Sequence, residues 1–126
     1  MMRLSFALLP LALLGACGGA PDQAAIPNAV RQCMTCHSFG EGGRAAAGPN
    51  LFGIIGETAG TRPGFPYSPA MKGSGIVWTP ETLDAFIAAP QKLVPGTRMA
   101  SAGETDPARR RAIIAYIQSL NEETKK

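Results

Sequence analysis

The stretch Cys33-Met34-Thr35-Cys36-His37 sets two thiols three residues apart, with an imidazole directly after them. Residues three apart share one face of a helical turn. Both sulfurs can therefore reach one flat group while the imidazole of His37 turns toward its centre. Three chemistries use such a set: a structural zinc site, a redox dithiol, or attachment of a c-type haem through two thioethers. A structural zinc site takes four Cys or His ligands, and beyond this stretch the chain holds only Cys17. A thioredoxin-like dithiol belongs in a βαβ context, and no segment here alternates convincingly as a strand. The residues favour covalent haem, with Cys33 and Cys36 as attachment points and His37 facing the iron.

A group of that size needs a domain around it, and 126 residues are enough for one. Residues 1–16 read as an export signal. Arg3 supplies a thin positive start, and Leu4 to Leu14 is an apolar run too short to span a bilayer. Leu14-Gly15-Ala16-Cys17 resembles the bacterial lipobox, in which the Cys is acylated and becomes the mature N-terminus. Ordinary cleavage after Ala16, leaving a free thiol, is the alternative. Several acyl chains on Cys17 would tether the domain far more firmly than one chain does. Residues 17–25 then form the acylated N-terminus and a linker, and 26–126 the domain.

The formal charge is +3. Loss of Arg3 with the signal, and two haem propionates, would bring the mature protein close to neutral. With no long basic stripe, this argues against nucleic acid as a partner. Arg109-Arg110-Arg111 is short, falls in a helical pattern and reads as a solvated helix face.

Pro27 suits a first helical turn, which Asn28 to Cys36 would continue. Gly40 to Gly48 is a glycine-rich loop. No G-K-[ST] follows it, so a phosphate cradle is poorly supported. The prolines and glycines from Gly48 to Pro69 imply a wrapped, irregular chain. Thr79-Pro80 opens a helix with Thr79 as N-cap. Leu83, Phe86 and Ile87 form its apolar face, and Pro90 is expected to end it. Asp106-Pro107 opens the last helix, whose buried stripe is Ile113, Ile114, Ile117 and Leu120 with Tyr116 alongside.

In order, these segments read C-x-x-C-H, G-P-N-L-x-G, P-G-F-x-Y-S-x-A, W-x-x-E-T-L, P-G-T-x-M and A-Y-I. This series closely resembles class I cytochrome c, nearer to the mitochondrial and bacterial photosynthetic types than to the very short ones. The resemblance implies an all-α fold of about four to five helices wrapped around one covalent haem c. It implies His37 and Met99 as axial iron ligands. The Pro49 carbonyl would fix the His37 ring, and Tyr67, Trp78 and Thr97 would serve a haem propionate. Of the other methionines, Met71 is the only rival, and a gap-filling core role is its default. The chain departs from the mitochondrial pattern in several places. Glu57 stands where an Arg is usual, with Arg62 as the candidate to compensate. Met71 and Phe86 replace an Asn and a Tyr, Ser101 an aromatic beside the haem edge, and Ala29 an aromatic on the first helix. Lys72, Lys92 and Arg98 are what remains of a lysine ring.

A haem with both axial positions filled leaves no place for substrate. The expected function is therefore one-electron transfer and not catalysis. The implied partners are a quinol-oxidising complex and a terminal oxidase or other envelope oxidoreductase. The carrier would be a monomer, held by lipid on the periplasmic side of a bacterial envelope. Two alternatives stand beside it. One is a ligand-binding or weakly peroxidatic protein with a labile Met99. The other is the dedicated electron-entry subunit of a dehydrogenase.

Overall fold

The structure is a computed structural model that describes residues 26–123. The signal segment, Cys17 and the linker lie outside the described residues. Five helices follow in order: α1 (Asn28–Arg31), α2 (Pro69–Lys72), α3 (Pro80–Ala88), α4 (Pro90–Leu93) and α5 (Pro107–Glu123). A 3-10 turn, Cys33–Thr35, lies between α1 and α2. Among the described residues the only β pairing is an isolated bridge between Thr58 and Val77. The all-α expectation holds.

Local chemistry sets the helix starts. Ser68 accepts a hydrogen bond from the Met71 N–H at 3.1 Å, and Pro69 takes the first position of α2. Thr79 and Thr82 form a reciprocal capping box at the start of α3, each side chain accepting from the other's backbone N–H. Such a cap is worth about 1 kcal/mol. The Asp106 carboxylate accepts from the Ala108 N–H at 2.9 Å and starts α5.

α5 is the beam of the fold, with both α1 and α3 packing on it. Ile113, Ile117 and Val30 are the most deeply buried aliphatic side chains, at 1%, 2% and 0% exposure. Each stabilises the fold by about 1.5–3 kcal/mol through removal of apolar surface from water. At the far end of α5, the Asn121 amide pairs with both backbone groups of Ile55 at 2.9 and 3.1 Å. That pair fixes the irregular middle of the chain to the beam.

Three details differ from the sequence expectations. α1 stops at Arg31 instead of running on to Cys36, and the chain tightens into the 3-10 turn. There the Thr35 hydroxyl donates to the Gln32 carbonyl at 2.8 Å, and the Cys36 N–H bonds three residues back to Cys33. Pro90 does not merely end α3 but opens α4. A residue before proline avoids the helical region, so Ala89 is extended, while the fixed φ of proline suits a first turn. The arginine run is not simply a solvated face. Arg110 pairs with Asp84 and Arg109 with Glu104, both at 2.8 Å, while Arg111 is exposed.

Candidate functional site

The thiols lie on the 3-10 turn. The Cys36 and His37 N–H groups both bond the Cys33 carbonyl, at 3.1 and 2.9 Å, which closes the turn around the motif. Both thiols are free of any disulfide, Cys33 half-buried and Cys36 exposed. Burial pushes the Cys33 thiol up from its ordinary pKa. Among the described residues no three His, Cys, Asp or Glu side chains are grouped so as to hold a metal ion.

His37 is held from one side only. Its Nδ1 lies 2.7 Å from the Pro49 carbonyl oxygen. A carbonyl has no proton to give, so Nδ1 carries the hydrogen and donates it. Burial lowers the pKa of His37, against a smaller raising effect of that hydrogen bond, so the ring is neutral at neutral pH. Its remaining lone pair is then at Nε2, the form in which imidazole binds a metal. Gly48 makes room for the ring: a Cβ there would fall 2.5 Å from His37 Cε1. The Gly48 N–H bonds the Cys36 carbonyl at 2.8 Å.

Asn50 supports this segment and was not singled out from the sequence. It is 8% exposed. Its amide donates to the Gly40 and Gly43 carbonyls at 2.8 and 2.7 Å and accepts from the Phe52 N–H at 2.6 Å. The glycine-rich loop is thereby pinned beside Pro49. The signal was present, since Asn50 follows Pro49 in G-P-N-L, but its partners are backbone groups of a distant loop.

Met99 is half-buried and packs on the same core as Cys33, Tyr67 and Trp78. Its N–H donates to the Thr97 hydroxyl at 3.3 Å, leaving the hydroxyl proton of Thr97 available. Gln91 clamps the loop from α4. It donates to the Thr97 carbonyl at 2.9 Å and accepts from the Gly96 N–H at 3.3 Å. Arg98 crosses to the Pro66 carbonyl at 2.6 Å, next to Tyr67. The rival Met71 is buried in the core on α2, in the gap-filling position expected of it.

Trp78 stacks tilted on Phe86, centroids 5.2 Å apart, and Tyr67 meets Phe65 edge-on at 4.9 Å. Burial raises the Tyr67 pKa, with the charge of Arg62 opposing it, so the phenol keeps its proton. Among the described residues no hydrogen bond reaches the Tyr67 hydroxyl or the Trp78 indole N–H. No buried side-chain polar atom is orphaned either, so both tips open onto accessible space. Arg62 bonds both carboxylate oxygens of Glu57, at 2.6 and 3.1 Å, and the carbonyls of Asn50 and Phe52, at 2.9 and 2.7 Å.

These residues fit a covalently held haem. Two free thiols share one turn with a neutral imidazole whose Nε2 is the free nitrogen. A thioether packs on the same core as Cys33, and two polar tips reach accessible space.

The cytochrome c family model matches residues 28–121. The chain is 41% identical over 121 residues to cytochrome c2 of Blastochloris viridis, covering 96% of this chain and 95% of that protein. It is 48% identical over 88 residues to cytochrome c2 of Rhodopila globiformis, covering 70% and 82%. Among solved structures, cytochrome cH from Methylobacterium extorquens matches with a TM-score of 0.68 at 38% identity, covering 72% of this chain and 91% of that one. The chain therefore belongs to the cytochrome c family, as a monohaem electron carrier with one covalent haem c and with Cys33 and Cys36 in the C-x-x-C-H position.

Proposed function

We propose that His37, through Nε2, and Met99, through its sulfur, are the residues that would hold the haem iron. The protein then carries single electrons between a quinol-oxidising complex and a terminal oxidase or another envelope redox enzyme. The observation that carries the ligand reading is the His37 contact to Pro49, which leaves Nε2 as the only ring nitrogen with a lone pair. The Thr97 hydroxyl and the Gln91 clamp support Met99, because they fix the backbone on which it is carried. When bound, the haem iron supplies one-electron exchange. The chain supplies the neutral thioether and the buried surroundings, both of which favour the reduced state and hence a positive potential. Tyr67, Trp78 and Thr97 are the donors for a propionate, with the Tyr67 and Trp78 tips opening onto accessible space.

The carrier works on the periplasmic side of a bacterial envelope. Cys17 is acylated, and the tether raises the effective concentration near membrane partners. Lys72, Lys92 and Arg98 are exposed and few, so docking depends only modestly on salt. Replacing Cys17 by Ser should release the protein from washed membranes; release of the wild type to the same extent would overturn the anchor.

The ligand set is tested by the ferric absorption spectrum at neutral pH, on wild type and Met99→Ala. A weak far-red band in the wild type that is absent from the variant supports His37/Met99 ligation. A wild type without that band overturns it and turns attention to ligand binding or peroxidase chemistry.

A further inference from the structure

Glu104 lies where the chain returns from Met99 to the last helix, and it is the most connected charged side chain of that return. One carboxylate oxygen accepts from Arg109 at 2.8 Å, and the other from the Asp106 N–H at 3.0 Å. The Glu104 N–H donates to the Ile87 carbonyl on α3 at 2.9 Å, and its own carbonyl accepts from Arg110 at 2.9 Å. One residue thus joins α3 and α5.

The preceding residue fixes the route. Gly103 has φ +102°, and a Cβ there would overlap the Ala88 carbonyl oxygen. The backbone therefore runs hard against the end of α3, which no side chain at 103 would permit. Between Met99 and this point the chain is exposed at Ala100, Ser101 and Ala102. Ser101 bonds only the nearby Gly103 N–H, at 3.1 Å. Behind Met99 the loop is held by Gln91 and Thr97; ahead of it, the first firm hold is Gly103–Glu104.

We propose that Glu104 is a positioning residue for Met99: its carboxylate ties the return of the loop to Arg109 on α5, beside the main-chain bond to α3, and so sets how often the Met99 sulfur leaves its place. The inference rests on Met99 being the distal ligand. Arg109 is the outer half of the brace and the Asp106 N–H its inner half.

Imidazole titration of the ferric holoprotein reads the opening directly, because an added ligand binds only the fraction with the loop displaced. Glu104→Ala should bind imidazole about three- to tenfold more tightly than wild type, with Arg109→Ala shifted in the same direction. Glu104→Gln keeps the acceptor for the Asp106 N–H and should fall between them. Asn121→Ala serves as the control for general loosening, since it frees the far end of α5. It should lower the denaturant midpoint and keep imidazole affinity within about twofold of wild type. Equal affinity of wild type and Glu104→Ala, or an equal rise in Asn121→Ala, overturns the brace. Should Glu104→Ala not fold, Glu104→Gln and Arg109→Ala decide by the same criterion. Met99→Ala separates the two readings. If it binds no more tightly than wild type, the ligand assignment fails; if it binds far more tightly while Glu104→Ala does not, only the brace falls.

Discussion

Gly48 faces the imidazole of His37 so closely that a methyl group has no room between them, and the residue after it, Pro49, holds Nδ1 of the same ring at 2.7 Å. Absence of a side chain and presence of a carbonyl act together on one ring, from adjacent residues. Gly48→Ala should therefore push the ring off the carbonyl. Overpacking of this kind costs about 1–3 kcal/mol. A lower urea midpoint and a changed haem absorption spectrum would be measured together. A variant as stable as wild type would show that the ring can yield.

Arg62 and Glu57 should respond unequally to substitution. Glu57 is 39% exposed and its charge is partly screened, so Glu57→Gln should cost no more than about 1 kcal/mol. Arg62→Ala also strips the Asn50 and Phe52 carbonyls of their donor and should cost about 1–3 kcal/mol. Chemical denaturation of the two variants gives the comparison, and equal losses would mean that the carbonyl contacts contribute nothing.

Acid stability should depend on Glu104. Its hydrogen bond to Arg109, with that to the Asp106 N–H, holds its carboxyl below the ordinary range. A carboxyl whose pKa is lower in the folded than in the unfolded protein contributes stability above the unfolded value. That contribution is lost as pH falls through the folded one. The gap in denaturant midpoint between wild type and Glu104→Gln should thus be constant above about pH 5 and narrow steadily toward pH 3. A gap unchanged across that window would contradict the assignment.

Ile117 should be among the costliest truncations. It is 2% exposed on the face of α5 that meets the other helices. Ile117→Ala should destabilise by about 2–5 kcal/mol through lost burial and the cavity left behind. Calorimetry on the variant would read this as a lower melting temperature, and a loss below about 1 kcal/mol would mean that the site collapses to fill the space.

How far the sequence reveals this fold depends on whether a residue's partner lies near it in the chain. Thr79-Pro80 announces α3 because cap and helix are neighbours, and Ile113, Ile114, Ile117 and Leu120 announce α5 by period alone. Cys33, Cys36 and His37 are legible because their spacing is the chemistry. Asn50 and Gln91 are not, since each bonds backbone groups of loops whose position no periodicity records. The arginine run misled for the same reason. Asp84, the partner of Arg110, is on another helix, 26 residues away. Pro90 was ambiguous in a different way: a proline that cannot continue one helix is well shaped to begin the next.

The packing of α1 on α5 has a topological side. The first and last helices of the described chain clasp each other, so everything between them is a closed ring whose seam is Val30 against the buried stripe of α5. Closing so long a ring costs chain entropy once, and the short loops inside are then confined without further closure cost of that size. The seam acts as the clasp of a necklace. While it holds, individual loops can open and reseat; once it parts, the whole string is loose.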